Sequence, residues 1–329
     1  MLSFVAILFN VSNRYRNRNN GFIRLLPPHK IIGVNSLDID YNNWYLCGVH
    51  GSHLYLGNYQ TPGRLLKVNK DLKIRESVSL AGFQTFPIYK GSYLQIDSPH
   101  IYLMDGIKPV IIEGDLPSLH LKKTIRTSYF TGAIAINNHS FILRSVYNGI
   151  GNVIVRQENN TDSLKKRILL EKQVDGVFCT DGEMIKVPGS LRFIYVYYYR
   201  NQFLCTDSHL NLIYKGKTID TIGRAHIKVT KIASTGETTM SAPPLYVNKR
   251  ACANSKYLFV QSALRANNET EYMIKNVSMI DVYAVFDGKY KFSFYLPDFR
   301  GHKVRDFKVY GKSLYALYDH YLYKYKLNF

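Results

Sequence analysis

Eight residues have side chains that do chemistry and fall where short strands begin or end: His50, His53, Asp97, His100, His139, Asp181, Glu183 and Asp306. Carboxylates of this kind could hold a calcium ion through oxygen, with a neighbouring acid or base completing a hydrolytic site. The local sequence offers a plainer reading for each. Asp97-Ser98-Pro99 is turn chemistry, Asp181-Gly182 is a hairpin signal, and Asp319-His320 sits in the last hairpin. No spacing makes any three converge, so all eight are expected as turn or surface residues, with the metal site as the alternative.

Other catalytic signatures lack their parts. Gly149-Ile150-Gly151 has no following glycine, lysine and helix, so it is not a phosphate loop. There is no G-x-S-x-G elbow and no H-E-x-x-H. The run Tyr195-Val196-Tyr197-Tyr198-Tyr199 could stack sugars or bases, but such a run also packs sheet on sheet, which is the preferred reading. None of Cys47, Cys179, Cys205 and Cys252 forms a C-x-x-C pair. Buried free thiols are expected, with a Cys179–Cys205 disulfide as the alternative. The sequons at Asn138, Asn159, Asn268 and Asn276 are short enough to arise by chance.

The elements that must position these residues are strands. Tyr (27) and Phe (17) are abundant, which suits a pleated, half-buried surface, and 46% hydrophobic residues can fill a sizeable core. Short alternating runs separated by turn residues recur along the chain. The first unit holds 44–49, 53–59, 64–69 and 73–80; the second 92–96, 100–105, 109–113 and a strand near 119–124. The third holds 132–136, 140–146, 152–157 and 166–171; the fourth 176–180, 192–199, 202–206 and 210–215. The fifth, read as 226–232, 257–263, 278–286 and 291–296, is interrupted by long connections at 233–256 and 264–277. The sixth has only three strands, 303–309, 313–318 and 321–327. Repeats of about 50 residues suit propeller blades of four strands. Residues 30–40 read as a strand without an earlier partner, and would close the ring as the sixth unit's fourth strand. No helix is expected; 163–172 is the best helical candidate and is equally readable as a strand. The fold class is therefore all-β: a six-bladed β-propeller of four-stranded antiparallel blades, closed by an N-terminal strand joining the C-terminal blade.

The domain boundaries follow: 30–329 is the propeller, and 1–29 is an apolar segment with a basic tether. MLSFVAILF is too short to cross a bilayer, which takes roughly 20 residues. It is expected as the tail of a signal-anchor helix that begins upstream, with a first strand or a frayed terminus as the alternative, although the arginines after it favour a cytoplasmic side. The formal net charge of +19 reads first as a generally basic surface, because the Lys and Arg are spread along the chain, with attraction to polyanions or an anionic membrane surface as the alternative. The basic residues are dispersed, the densest group being Arg14, Arg16, Arg18 and Arg24, so no specific nucleic acid is expected.

Three stretches carry a family resemblance: FIRLLPPHKI at 22–31, HLYLGNYQTPGRLLKVNKDL at 53–72, and YKFSFYLPDFRGHKVRDFKVYGKSLYALYDHYLYKYKL at 290–327. The chain resembles the six-bladed, TolB-like β-propeller proteins of Bacteroidota. The resemblance implies a propeller in a cell-envelope, membrane-tethered setting, and transfers no catalytic residue. The expected function is a non-catalytic binding or scaffold module, monomeric and without a cofactor, presenting loops to a protein or glycan partner. A calcium-dependent, lactonase-like hydrolase acting at the channel is the alternative, and a polyanion-binding module is the third.

Overall fold

The computed structural model describes residues 20–86, 88, 89, 91–147, 150–158 and 166–329. MLSFVAILF, Arg14, Arg16, Arg18, Gly149 and Asn159 lie outside them. The first strand, β1 (Ile31–Asp38), belongs to the last sheet. Blade one is β2 (Trp44–His50), β3 (His53–Asn58), β4 (Arg64–Asn69) and β5 (Arg75–Ser79). Blade two is β6 (Tyr93–Asp97), β7 (His100–Asp105), β8 (Val110–Asp115) and β9 (His120–Arg126). Blade three is β10 (Gly132–Asn137), β11 (Ser140–Tyr147), β12 (Gly151–Glu158) and β13 (Lys166–Leu169), so the described part of the candidate helix at 163–172 is a short strand followed by irregular chain at 170–172. Blade four is β14 (Gly182–Lys186), β15 (Arg192–Tyr197), β16 (Gln202–Asp207) and β17 (Leu212–Lys217). A hairpin of β18 (Val229–Lys231) and β19 (Thr238–Met240) follows. Blade five is β20 (Asn248–Ala253), β21 (Tyr257–Ser262), β22 (Val277–Ala284) and β23 (Tyr290–Pro297). Blade six is β24 (Val304–Tyr310), β25 (Ser313–Tyr318), β26 (Tyr321–Leu327) and β1.

The first strand of each blade touches that of the next, round to blade one again. Between neighbouring blades lies an apolar layer, so each sheet is covered on both faces and its middle strands read as continuous buried runs. Between blades five and six, for example, Phe259, Phe294 and Leu296 pack against Phe307, Val309 and Leu314. The layer between blades six and one joins Tyr315, Leu317 and Leu322 to Trp44, Leu54 and Leu66.

Each innermost strand is a sheet edge, whose outward N–H and C=O groups need partners. Side chains of the adjoining blade supply them. The Tyr45 hydroxyl accepts from the Leu94 N–H at 2.6 Å, and Tyr93 accepts from Ala133 at 2.6 Å. Lys186 donates to the Ile136 carbonyl at 3.0 Å. Glu183 accepts from Ala251 at 2.7 Å, Gln261 donates to the Val304 carbonyl at 3.3 Å, and Asp306 accepts from Leu46 at 3.2 Å. All six seams are bridged this way.

The ring closes as expected. β1 runs antiparallel to β26, with Ile31 opposite Leu327 and Ser36 opposite Tyr323. The ladder extends to Ile39, whose N–H donates to the His320 carbonyl at 2.9 Å, and Asp38 faces His320 Nδ1 at 2.9 Å. The hydrogen bond from His320, then the Asp40 N–H, hold the Asp38 carboxyl below its ordinary range. This contribution is present above about pH 4 and is lost as pH falls through the lowered folded value. Asp38→Asn is therefore expected to flatten the acid limb of a stability-against-pH curve, by a small amount because solvent screens the pair. An unchanged acid limb in chemical denaturation would contradict it.

Blades four and five depart from the sequence reading. Residues 176–180 form a turn, because the Asp175 carboxylate accepts from the N–H groups of Val177, Phe178 and Cys179 at 3.2, 2.7 and 2.9 Å. That local bonding removes donors a ladder would need. Asp181-Gly182 is not a hairpin tip; it leads into β14, where a Cβ on Gly182 would lie 2.3 Å from the Val196 carbonyl oxygen. In blade five the innermost place belongs to β20, not 226–232, whose apolar residues instead serve the β18–β19 hairpin and a small cluster around Cys179 and Tyr199. The connection at 264–277 contains a short helix, α1 (Glu271–Asn276), capped by the Thr270 hydroxyl on the Met273 N–H at 3.3 Å. Six residues are too few to show a 3.6-residue period. The four cysteines are free and buried; Cys179 and Cys205 sit in different apolar clusters, so the disulfide alternative fails.

The segment 20–29 lies against blade five. The Asn267 N–H donates to the Phe22 carbonyl and the Ser293 N–H to that of Leu25, both at 2.8 Å. Between them Arg24 turns inward. Its guanidinium bonds Asp281 through Nε at 2.7 Å and Nη2 at 3.1 Å, and Glu269 through Nη1 at 2.7 Å. The three side chains are at most 2% exposed. Arg24 is thus a buried fastening, not part of a basic tether facing solvent.

Candidate functional site

The innermost strands of all six blades enclose a cavity of about 1050 Å³. Three of the eight candidates line it: Asp97, Glu183 and Asp306. Alternation explains the placement on β24, where Asp306 and Lys308 are two residues apart and share a face. Its lining includes Glu183, Asp306, Lys308 and Arg250, with Tyr59 and Tyr198; the two carboxylates act on both cations. Lys308 lies 3.5 Å from Glu183. Elsewhere on the wall Asp97 meets Lys186 at 2.6 Å.

Asp181 stands beside the cavity and is ion-paired to Arg144, which also donates to the Gly182 carbonyl at 2.6 Å. The four histidines are elsewhere, on the hairpins and outer parts of blades. His50 Nδ1 bonds the Ser98 hydroxyl at 2.7 Å, and His53 Nδ1 lies 3.3 Å from that of Ser52. His100 pairs with Glu113 at 3.1 Å, and the His139 N–H is held by the Asn137 side chain at 2.8 Å. Among the described residues no three His, Cys, Asp or Glu side chains come together as metal ligands. The channel carboxylates face ammonium groups or backbone N–H donors, which is not the set of convergent free oxygens that calcium takes.

Nothing in the sequence pattern singles out Arg250, Lys308, Lys186 or Tyr59, and it favours a packing role for Tyr198. Tyr59 follows β3 and is 54% exposed, its ring 4.5 Å from that of Tyr45. Tyr198 belongs to an aromatic group with Tyr199 and Tyr246. Burial alone would lower the Lys308 ammonium, but Glu183 and Asp306 outweigh it and hold it up. Arg250 behaves the same way with those carboxylates. Burial, then the charge of Asp306, raises the Tyr59 phenol, and burial, then Glu183, raises that of Tyr198. Both phenols therefore stay neutral across the physiological range and can donate as well as accept.

No protein-family model and no curated protein matches the chain. Among solved structures it is similar to a member of the DUF4221 family from Bacteroides vulgatus, with a TM-score of 0.57 and 11% identity over 94% of this chain and 99% of that one. At this identity the likeness shows the fold alone. It is less similar to YCF48 bound to D1 peptide (TM-score 0.48, 10% identity, 93% and 98% covered). The same holds for a catalytically inactive virginiamycin B lyase from Staphylococcus aureus bound to quinupristin (0.47, 13%, 91% and 99%).

Proposed function

We propose that the protein is a non-catalytic binding or scaffold propeller whose axial cavity receives a ligand or a partner's segment. One observation carries this. Glu183 and Asp306, the acids placed where hydrolysis would need them, are engaged in bridging neighbouring blades, while the cavity beside them stays open. A carboxylate that accepts a backbone N–H and faces an ammonium is a poor general base. The reading needs no resident metal. The apolar MLSFVAILF and the TolB-like resemblance support a place at the cell envelope, and cell fractionation tests that part separately.

The decisive comparison is between wild type and Gly91→Trp. Gly91 lines the cavity, and a Cβ there meets only Tyr89, at 3.5 Å, so the fold should accept the change. Partners recovered from envelope extracts by the wild type are expected to be lost with the narrowed channel. Equal recovery by both would overturn the reading. Stoichiometric calcium in the purified protein, with an ester- or lactone-cleaving activity lost on chelation, would replace it by the hydrolase alternative.

A further inference from the structure

The cavity carries one cation whose hydrogen-bonding capacity is largely unspent. Arg250 is exposed, and its single hydrogen bond among the described residues is a long one, Nε to the Arg305 carbonyl at 3.4 Å. Both terminal nitrogens remain for a guest. By contrast Lys308 is paired to Glu183 and Lys186 to Asp97. A planar guanidinium with two free donors matches a carboxylate in a bidentate fork. Tyr59 and Tyr198, both close enough to feel its charge, offer flat apolar faces with a hydroxyl at the rim. Glu183 and Asp306 can still accept hydroxyl hydrogens through oxygens not used at the seams.

Resting on the binding reading above, we propose that the cavity binds acidic oligosaccharides, with Arg250 reading a uronate carboxylate and Tyr59 and Tyr198 stacking on sugar rings. A peptide fits less well. Strand addition, one mode of peptide recognition, needs a free sheet edge, and the edges lining this cavity are already bridged by Tyr45, Tyr93, Glu183 and Asp306. Its volume, about 1050 Å³, is at or above the upper end for small-molecule clefts, about 300–1,000 Å³, which leaves room for a short oligomer.

The test is calorimetric titration with tetrameric uronates, galacturonate- and glucuronate-containing and alginate-type, each beside its methyl ester. About 0.2 M salt suppresses the nonspecific contact that a +19 surface invites. At least one acid is expected to bind, with its ester at least tenfold weaker. Arg250→Met should weaken the acid at least tenfold, Tyr59→Ala several-fold, and Arg250→Lys should restore part of the loss. The acid–ester comparison needs no variant, so it stands even if a substitution disturbs folding. Equal binding of acid and ester, an unaffected Arg250→Met, or no binding by any acid would overturn the proposal. If it falls while Gly91→Trp still abolishes partner recovery, the ligand class is wrong and the cavity reading survives. If Gly91→Trp is also silent, both fall.

Discussion

Replacing Arg24 by methionine is expected to lower stability by about 3–5 kcal/mol at neutral pH, the cost of stranding buried charge whose partner is gone. Asp281 and Glu269 would remain almost without solvent contact, and only the Ser293 hydroxyl, 2.5 Å from Asp281, and the Ala266 N–H, 2.7 Å from Glu269, would still serve them. Neutralising all three, Arg24→Met with Glu269→Gln and Asp281→Asn, should recover much of the loss, since removing a whole buried ionic group is often near neutral. Urea denaturation at neutral pH measures this. A single variant within about 1 kcal/mol of wild type would show that the 20–29 segment does not fasten blade five.

Leu37→Pro should open the ring at its seam. The Ile39 N–H donates to the His320 carbonyl, and hydrogen-bonded pairs recur at every second residue of an antiparallel ladder. The Leu37 N–H therefore points at Leu322, its register partner. Proline removes that donor, leaves the Leu322 carbonyl unmet and takes away a side chain packed against the blade six–blade one layer. The expected cost is about 2–4 kcal/mol, from one unsatisfied ladder position and part of a leucine's burial. The location of the effect is more telling than its size. Amide protection should fall first in β26, with blade three unaffected, and the bared β26 edge should promote association. Uniform loss of protection around the molecule, or none, would mean that β1 does not hold the ring shut.

The architecture is legible because blades one to three and six are short runs of bulky residues, continuous in middle strands such as β3, β7 and β25, between clear turns. Where that contrast disappears, so did the strands. β20 reads Asn-Lys-Arg-Ala-Cys-Ala, small and charged residues that suit a crowded position at the axis but carry no alternation of bulk. The apolar 176–180 had the composition of a strand, and the single carboxylate of Asp175 diverted it. The site was read more poorly. Asp97, Glu183 and Asp306 do face the cavity, while His50, His53, His100 and His139 occupy turns or outer parts of blades. Arg250 and Lys308 carried no signal of their own, because in a chain with 43 lysines and arginines another basic residue does not stand out. Only a register specific to the innermost strands separates them from the rest.

The bridges between innermost strands make each blade a lock cut for one particular neighbour. Tyrosine hydroxyls accept a backbone N–H at two seams and carboxylates at two, while Lys186 and Gln261 donate to a carbonyl at the other two. A chain cut and rejoined at a different loop would keep every pairing and should still fold. A chain with two blades transposed would keep every sheet yet lose its joints. Such joints require each module to match the one beside it and not its other siblings, so uneven repeats are compatible with a closed ring.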